Sequence, residues 1–335
     1  MEFLKIPFSD MQSLFFRILL KYGFPEHKAK VCSDIFAENS LEGIYTHGVN
    51  RFPRFVDYIK KGYIKVDSEP DLIHSAGALE QWNGNLGPGP LNALFCTERA
   101  IRLADEYGLG CAGLSNTNHW MRGGFYGWQA AKKGYVFIGW TNTEANMPAW
   151  GAAESRLGNN PLVIAVPFEN EAVVLDFAMS QFSYGKMEAS EQEGRDLPFY
   201  GGYNSRGELS KDPGDILKSR RTLPVGYWKG AGLSLMLDIL ATVVSSGSAT
   251  FEVSKHDAEY GVSQVFMAVS LKKLSNFEYV GKTISNIIED FKNSSSDEMN
   301  SEIRYPGERV IRDRKENMLH GIPVSKTVWE HIVHL

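Results

Sequence analysis

Two of the chain's eight histidines sit where a side chain could move a proton. His47 lies in THGVNRFPRF, four residues before Arg51, with Arg54 beyond it. An imidazole titrates near neutral pH, its reference pKa being about 6.5. The planar fork of arginine holds a carboxylate with two hydrogen bonds. If the stretch is helical, His47 and Arg51 share a face and suit a carbonyl substrate that carries a carboxylate. A partly exposed histidine beside a structural arginine fits the same spacing. His119 lies in NTNHWMRGGFYGW, a polar turn with Asn116, Asn118 and Arg122 around it. Gly123 and Gly124 then lead into a helix, and bare backbone N–H groups at such a start can hold an anion. A turn histidine that caps the helix is the plainer reading. The other histidines (27, 74, 256, 320, 331 and 334) lie in charged or terminal settings and are expected at the surface.

Other chemistry is thinly represented. The chain contains no H-E-x-x-H, C-x-x-C, G-x-S-x-G or P-loop pattern, so metal catalysis has no support. The seven tryptophans could stack on sugars, although core packing is the commoner role of aromatics. Lys229, in GYWKGAG, is read as preceding an apolar helix, a setting suited to phosphate or carboxylate. Asp176 ends a strand-like run and could accept bonds from ribose hydroxyls. Residues 108–113 match the dinucleotide pattern G-x-G-x-x-G in the wrong context. That pattern must leave a strand and open a helix, whereas these glycines leave a helix and open an apolar run. Gly108 reads as a helix C-cap, and any nicotinamide must bind without a Rossmann fold.

The elements that position these residues are those of an ordinary globular chain. It has 335 residues, 43% hydrophobic and 22% charged, with a net charge of −5. Nothing in it suggests a nucleic-acid footprint or a polybasic membrane surface. Three cysteines at no metal spacing read as reduced thiols. The N-terminus has no signal-peptide pattern, and the apolar stretch 233–244, broken by Ser234 and Asp238, reads as too short to cross a bilayer. A cytoplasmic chain is expected. Helices are predicted after a Ser9/Gln12 capping box, after Pro25, over 53–62 and over 90–107. Strands are predicted at 135–143, 162–167, 172–178 and 264–271, with a long loop over 201–215. A helix follows Gly230, Ser294–Ser296 reads as a polar linker, and a last helix falls near 326–335. The pattern predicts a mixed α/β fold with two lobes. Residues 1–115 plus 275–335 would form a helical, substrate-side lobe around a sheet lobe of 116–274.

Taken together, HGVNRFPRF (47–55), NHWMRGGFYGW (118–128), LDFAMSQFSYG (175–185), LPVGYWKGAGLSLMLDIL (223–240) and YPGER (305–309) resemble the malate/L-lactate dehydrogenase-like family of NAD(P)-dependent oxidoreductases. The resemblance runs through almost the whole chain in order. One departure is Asn159-Asn160-Pro161, where the family pattern usually reads G-T-N-P. The resemblance implies a homodimer with a non-Rossmann nicotinamide-binding sheet, NADH or NADPH as cofactor, and a small sugar-acid substrate. The branch resembled most reduces 2,3-diketo-L-gulonate; sibling branches act on malate, lactate or ureidoglycolate. His47 would donate the proton and Arg51 would bind the substrate carboxylate, while His119 occupies the acid/base position of sibling branches. Cofactor contacts would fall at Thr143, at Val174, Leu175, Asp176, Phe177 and Ala178, at Trp228 and Lys229, and at Gly307, Glu308 and Arg309. A sugar-acid-binding protein without catalysis is the alternative from another class.

Overall fold

The computed structural model describes residues 2–295 and 302–335. In chain order the elements are β1 (Phe3–Ile6), α1 (Phe8–Lys21), α2 (Glu26–Leu41), α3 (Phe52–Lys60), β2 (Asp71–Ala76), β3 (Leu79–Asn83), α4 (Gly89–Tyr107), β4 (Leu109–Thr117) and α5 (Gly123–Lys132). There follow β5 (Tyr135–Thr141), β6 (Met147–Pro148), β7 (Ser155–Leu157), β8 (Leu162–Phe168), β9 (Glu171–Phe177), α6 (Tyr184–Gln192), β10 (Gly202–Tyr203), β11 (Leu209–Ser210) and α7 (Pro213–Ser219). The chain closes with α8 (Trp228–Ser245), α9 (Thr250–Val253), β12 (Val262–Ser270), α10 (Phe277–Lys292), α11 (Glu308–His320), β13 (Ile322–Ser325) and α12 (Lys326–Val333).

Seven strands form the central sheet in the order β2-β3-β4-β12-β5-β8-β9. Only β3 and β4 run parallel, and every other neighbour is antiparallel. This is a mixed sheet with no doubly wound half, as a non-Rossmann reading requires. Helices α4 and α5 pack on one face, where Phe137, Phe266, Tyr126 and Trp120 are buried. Helix α8 covers the other face around Val265 and Met147. A second core joins α1–α3 to the antiparallel β1–β13 pair and α12, so the two ends of the chain meet in one helical lobe.

Several expectations are corrected. The sheet begins at Asp71, and the lobe boundary placed at 115 falls inside β4. The Ser9/Gln12 capping box does not form: Pro7 is the N-cap of α1, and Gln12 reaches Asp34 of α2 at 2.6 Å. The expected loop over 201–215 holds the β10–β11 hairpin and the start of α7, whose N-cap Asp212 accepts the Asp215 N–H at 3.0 Å. Of the expected linker, Ser296 lies outside the described residues.

The glycines of 108–113 serve packing. Gly108 takes the left-handed conformation, φ 88°, that closes α4. At Gly110 a Cβ would meet the Ala100 carbonyl oxygen at 2.1 Å, so only glycine lets β4 lie this close to α4. Helix α8 starts at Trp228, before the expected Gly230, and among the described residues it is the one helix long and apolar enough to cross a membrane. Its polar residues Ser234 and Asp238 face the protein: Ser234 donates to the Gly158 carbonyl (2.7 Å), and Asp238 accepts from Asn142 (2.9 Å) and from the Thr250 N–H (2.9 Å). The opposite side is apolar and exposed, with Val243 68% exposed.

Candidate active site

His47 closes a single 3-10 turn, Tyr45–His47, that follows α2. The turn is held by Asn39, whose amide donates to the His47 carbonyl at 3.2 Å. Helix α3 does not begin until Phe52, with Arg51 as its N-cap. The helical face expected to carry both His47 and Arg51 is therefore absent, because Gly48 (ψ −118°) breaks the turn between them. The two residues still converge through tertiary packing.

His119 sits just past the end of β4. Gly89, at the start of α4, packs so tightly on this turn that a Cβ there would meet the His119 carbonyl oxygen at 2.1 Å. The His119 ring stacks on that of His47, with centroids 5.7 Å apart and planes 22° apart. Both rings are kept neutral. Burial, and then the positive charges of Arg51 and Arg122, push His47 down to about 3. His119 is lowered by burial first, then by Arg51, His47 and Arg54.

The rings differ at Nδ1. The backbone N–H of Met121, a residue in the left-handed region at φ 65°, donates to Nδ1 of His119 at 2.9 Å. That nitrogen is an acceptor, so the proton of His119 resides on Nε2. Nδ1 of His47 faces the Thr46 hydroxyl at 3.0 Å, a group that can donate or accept by rotating.

Beside the histidines lies a small cleft lined by Arg51, Arg54, Phe55, Tyr58, Asn118 and His119, among others. Arg51 stands 4.0 Å from the Glu259 carboxylate. Behind the cleft a buried charge network fixes the walls. Arg122 pairs with Glu42 at the end of α2, Arg314 joins Glu42 (Nε, 2.9 Å) to Glu171 of β9 (3.1 Å), and Arg122 lies 3.9 Å from Asp176. The two arginines hold the Glu42 carboxyl below its usual range against the opposing effect of burial.

The residues expected to hold a cofactor form one continuous band. β9 is the edge of the sheet, and the Val174 N–H points outward to the Pro306 carbonyl at 3.0 Å. The backbone N–H of Asp176, two residues on, points to the same edge, while its side chain turns to the start of α5. Gly307 (φ 94°) packs on Val174, where a Cβ would meet the Val174 nitrogen at 3.1 Å, and it opens α11 with Glu308 and Arg309. Further along, Met179 donates to the Asn159 carbonyl (2.7 Å) and accepts from the Val225 N–H (2.8 Å), which sets the turn before Trp228 and Lys229 beside the strand. Thr143 joins the same knot through the Asn159 side chain at 3.1 Å, so the unusual asparagine takes a structural part. The edge strand beyond Val174, a glycine turn packed closely on it and the start of α11 with its exposed Arg309 fit an extended dinucleotide.

Two expectations change here. Lys229 is the second residue of α8, not a residue ahead of it. Asp176 is already engaged, because it accepts the Gly124 N–H at 2.8 Å, so the helix start expected to hold a ligand anion holds this carboxylate. Trp120, Trp128 and Trp140 are buried in the core and cannot stack on a sugar; Trp150 and Trp228 are exposed. Sequence reading missed Glu259 and Glu42. Neither stands in a motif, and only tertiary packing reveals them.

The model of the malate/L-lactate dehydrogenase family matches residues 6–333. A 2,3-diketo-L-gulonate reductase of Salmonella paratyphi A is 43% identical over 330 residues, 98% of this chain and 99% of the relative. Its counterpart in Klebsiella pneumoniae is 44% identical over the same length, with the same shares of both chains. Among solved structures, malate dehydrogenase from Entamoeba histolytica superposes with a TM-score of 0.94 at 23% identity, covering 99% of this chain and 97% of that one. Sulfolactate dehydrogenase from Methanocaldococcus jannaschii superposes with a TM-score of 0.87 at 26% identity, covering 98% and 95%.

Proposed function

The chain belongs to the malate/L-lactate dehydrogenase family and is a nicotinamide-dependent oxidoreductase, and from that premise we propose that it reduces 2,3-diketo-L-gulonate to 3-dehydro-L-gulonate with NADH. The two reductases of that name, at 43% and 44% identity over nearly the full length, support the substrate. When bound, the cofactor supplies a hydride to the C2 carbonyl beside the carboxylate. Everything else is the work of this chain's own side chains.

Arg51 binds the substrate carboxylate and so places the carbonyl against the stacked imidazoles. His47 donates the proton that the developing alkoxide requires. The observation that carries this choice is the contrast at Nδ1. To become an imidazolium, His119 would have to place a proton where the Met121 N–H already points. His47 takes a second proton without such conflict, because the Thr46 hydroxyl rotates from donor to acceptor. His119 keeps its Nε2 proton and polarises the carbonyl as a neutral donor. In the free chain His47 is neutral, held so first by burial and then by Arg51 and Arg122; the arriving carboxylate offsets Arg51 and so favours the protonated ring.

The cofactor would lie along Gly307, Glu308 and Arg309, Val174–Ala178, Thr143, Trp228 and Lys229; Asp176 in this set lies 3.9 Å from Arg122, whose charge also acts on His47. We read the apolar outer side of α8 as the surface that meets a second copy in a homodimer, as the family resemblance implies. The deciding experiment follows nicotinamide absorbance with NADH and NADPH against a panel of 2-oxo acids. Turnover fastest on 2,3-diketo-L-gulonate supports the proposal. Faster turnover of oxaloacetate or pyruvate assigns the chain to a sibling activity, and sugar-acid binding without turnover contradicts catalysis altogether. Sedimentation at working concentration reads the dimer directly.

A further inference from the structure

We propose that Glu259 sets the substrate's charge: it makes the cleft select acids with one carboxylate and a hydroxylated chain, and reject acids with two. The inference rests on the reductase reading for the role of Arg51 and extends it to a residue outside every motif of the sequence.

Glu259 lies in the connection between α9 and β12, and its side chain is only 11% exposed. Its carboxylate stands 4.0 Å from Arg51 and accepts the Glu144 N–H at 3.2 Å. Its backbone lies against Tyr58, and its charge is felt by Arg54, both residues of the cleft wall. At 4.0 Å the contact with Arg51 is electrostatic, not a hydrogen bond, so the donors of Arg51 stay free for a ligand. Arg54 forms no ion pair among the described residues.

Counting charge gives the selectivity. The two stacked histidines are neutral, Arg122 is committed to Glu42 and Asp176, and Arg51 and Arg54 face Glu259 as their nearest carboxylate, with Glu188 of α6 also acting on Arg51. Burial raises the Glu259 carboxyl and Arg51 works against that, so the guanidiniums are largely balanced before a ligand arrives and leave room for one substrate carboxylate, not two. A second carboxylate on the ligand would enter a partly buried site whose surplus charge is already spent, with Glu259 as a like-charged neighbour. A hydroxyl in the same place meets in Glu259 an acceptor for its proton. Without Glu259 the two guanidiniums would lose their nearest carboxylate, and the cleft would better suit a dicarboxylate.

The test uses the full-length protein and two six-carbon acids that differ at one end, L-gulonate with one carboxylate and glucarate with two. Their Kd values are measured by calorimetry. The native protein is expected to prefer gulonate. Glu259→Gln, which keeps an oxygen to accept the Glu144 N–H, is expected to shift the Kd ratio toward glucarate by at least about tenfold. Arg54→Gln is expected to shift it the other way, a reversal that a merely structural role of either residue would not produce. Glu259→Asp keeps the charge and is expected to keep the native preference. The inference is overturned if the native protein prefers glucarate, or if Glu259→Gln leaves the ratio unmoved. Should Glu259→Gln fail to fold, the same ratio read on Glu259→Ala decides. Turnover is read separately: keto-acid reduction without this selectivity overturns the charge inference only, and selectivity without turnover overturns only the reductase reading.

Discussion

The imidazoles of His47 and His119 lie stacked, 5.7 Å between centroids, although 72 positions separate them in the chain. One comes from a 3-10 turn of the helical lobe and the other from the end of a sheet strand, so the site exists only where the two lobes meet. Two imidazoles this close, both facing Arg51, cannot both be charged at neutral pH. What separates their roles is the second nitrogen of each ring.

The Thr46 hydroxyl is what allows His47 to alternate between its two protonation states. Thr46→Val keeps the shape of the side chain and removes that partner. It is expected to lower kcat roughly threefold to tenfold with little change in the Kd for NADH. Steady-state kinetics together with cofactor titration measure both, and an unchanged kcat would show that the hydroxyl plays no part.

Histidines held neutral in the fold cost stability in acid. The unfolded chain takes up a proton on His47 as pH falls below 6.5, whereas the folded chain refuses it down to about 3. Stability contributed by the neutral ring is present above 6.5 and is lost as pH falls through that window. Urea unfolding at pH 7 and pH 5 should show a smaller acid loss for His47→Asn than for the native chain. Equal losses would mean that His47 titrates normally in the fold.

Gly110→Ala tests the packing role of the glycine pattern. The added Cβ meets backbone at Ala100 (2.1 Å) and Ala104 (2.8 Å), neither of which can rotate away. We expect a loss of about 3 kcal/mol or more in unfolding free energy, with nicotinamide affinity of the folded protein unchanged. A selective loss of cofactor affinity without destabilisation would return the motif to dinucleotide binding.

How much of this was legible in the sequence depended on how local each signal was. β5, β8, β9 and β12 announced themselves as short apolar, β-branched runs, and α4 by its proline start and glycine stop. β2 escaped because all six of its residues are exposed and it carries no buried alternation. The candidate site was found from its motifs, but the helical spacing invoked for His47 and Arg51 was the wrong reason, since Gly48 ends the turn and the pair meets through packing. Glu259 carried no signal at all. It lies in a polar connection and gains its meaning from Arg51, a residue remote in sequence.

The most direct test compares His47→Asn with His119→Asn in the reduction of 2,3-diketo-L-gulonate, with Arg51→Met as the reference for lost carboxylate binding. His47→Asn is expected to lower kcat and kcat/KM together by about 100- to 10,000-fold, because the proton moves as charge develops. His119→Asn retains a neutral donor and should lose less, and Arg51→Met should chiefly raise KM for the keto acid. NADH affinity should hold in all three. If His47→Asn keeps near-native kcat while His119→Asn abolishes it, the proton comes from His119 and the argument from the Met121 N–H is wrong.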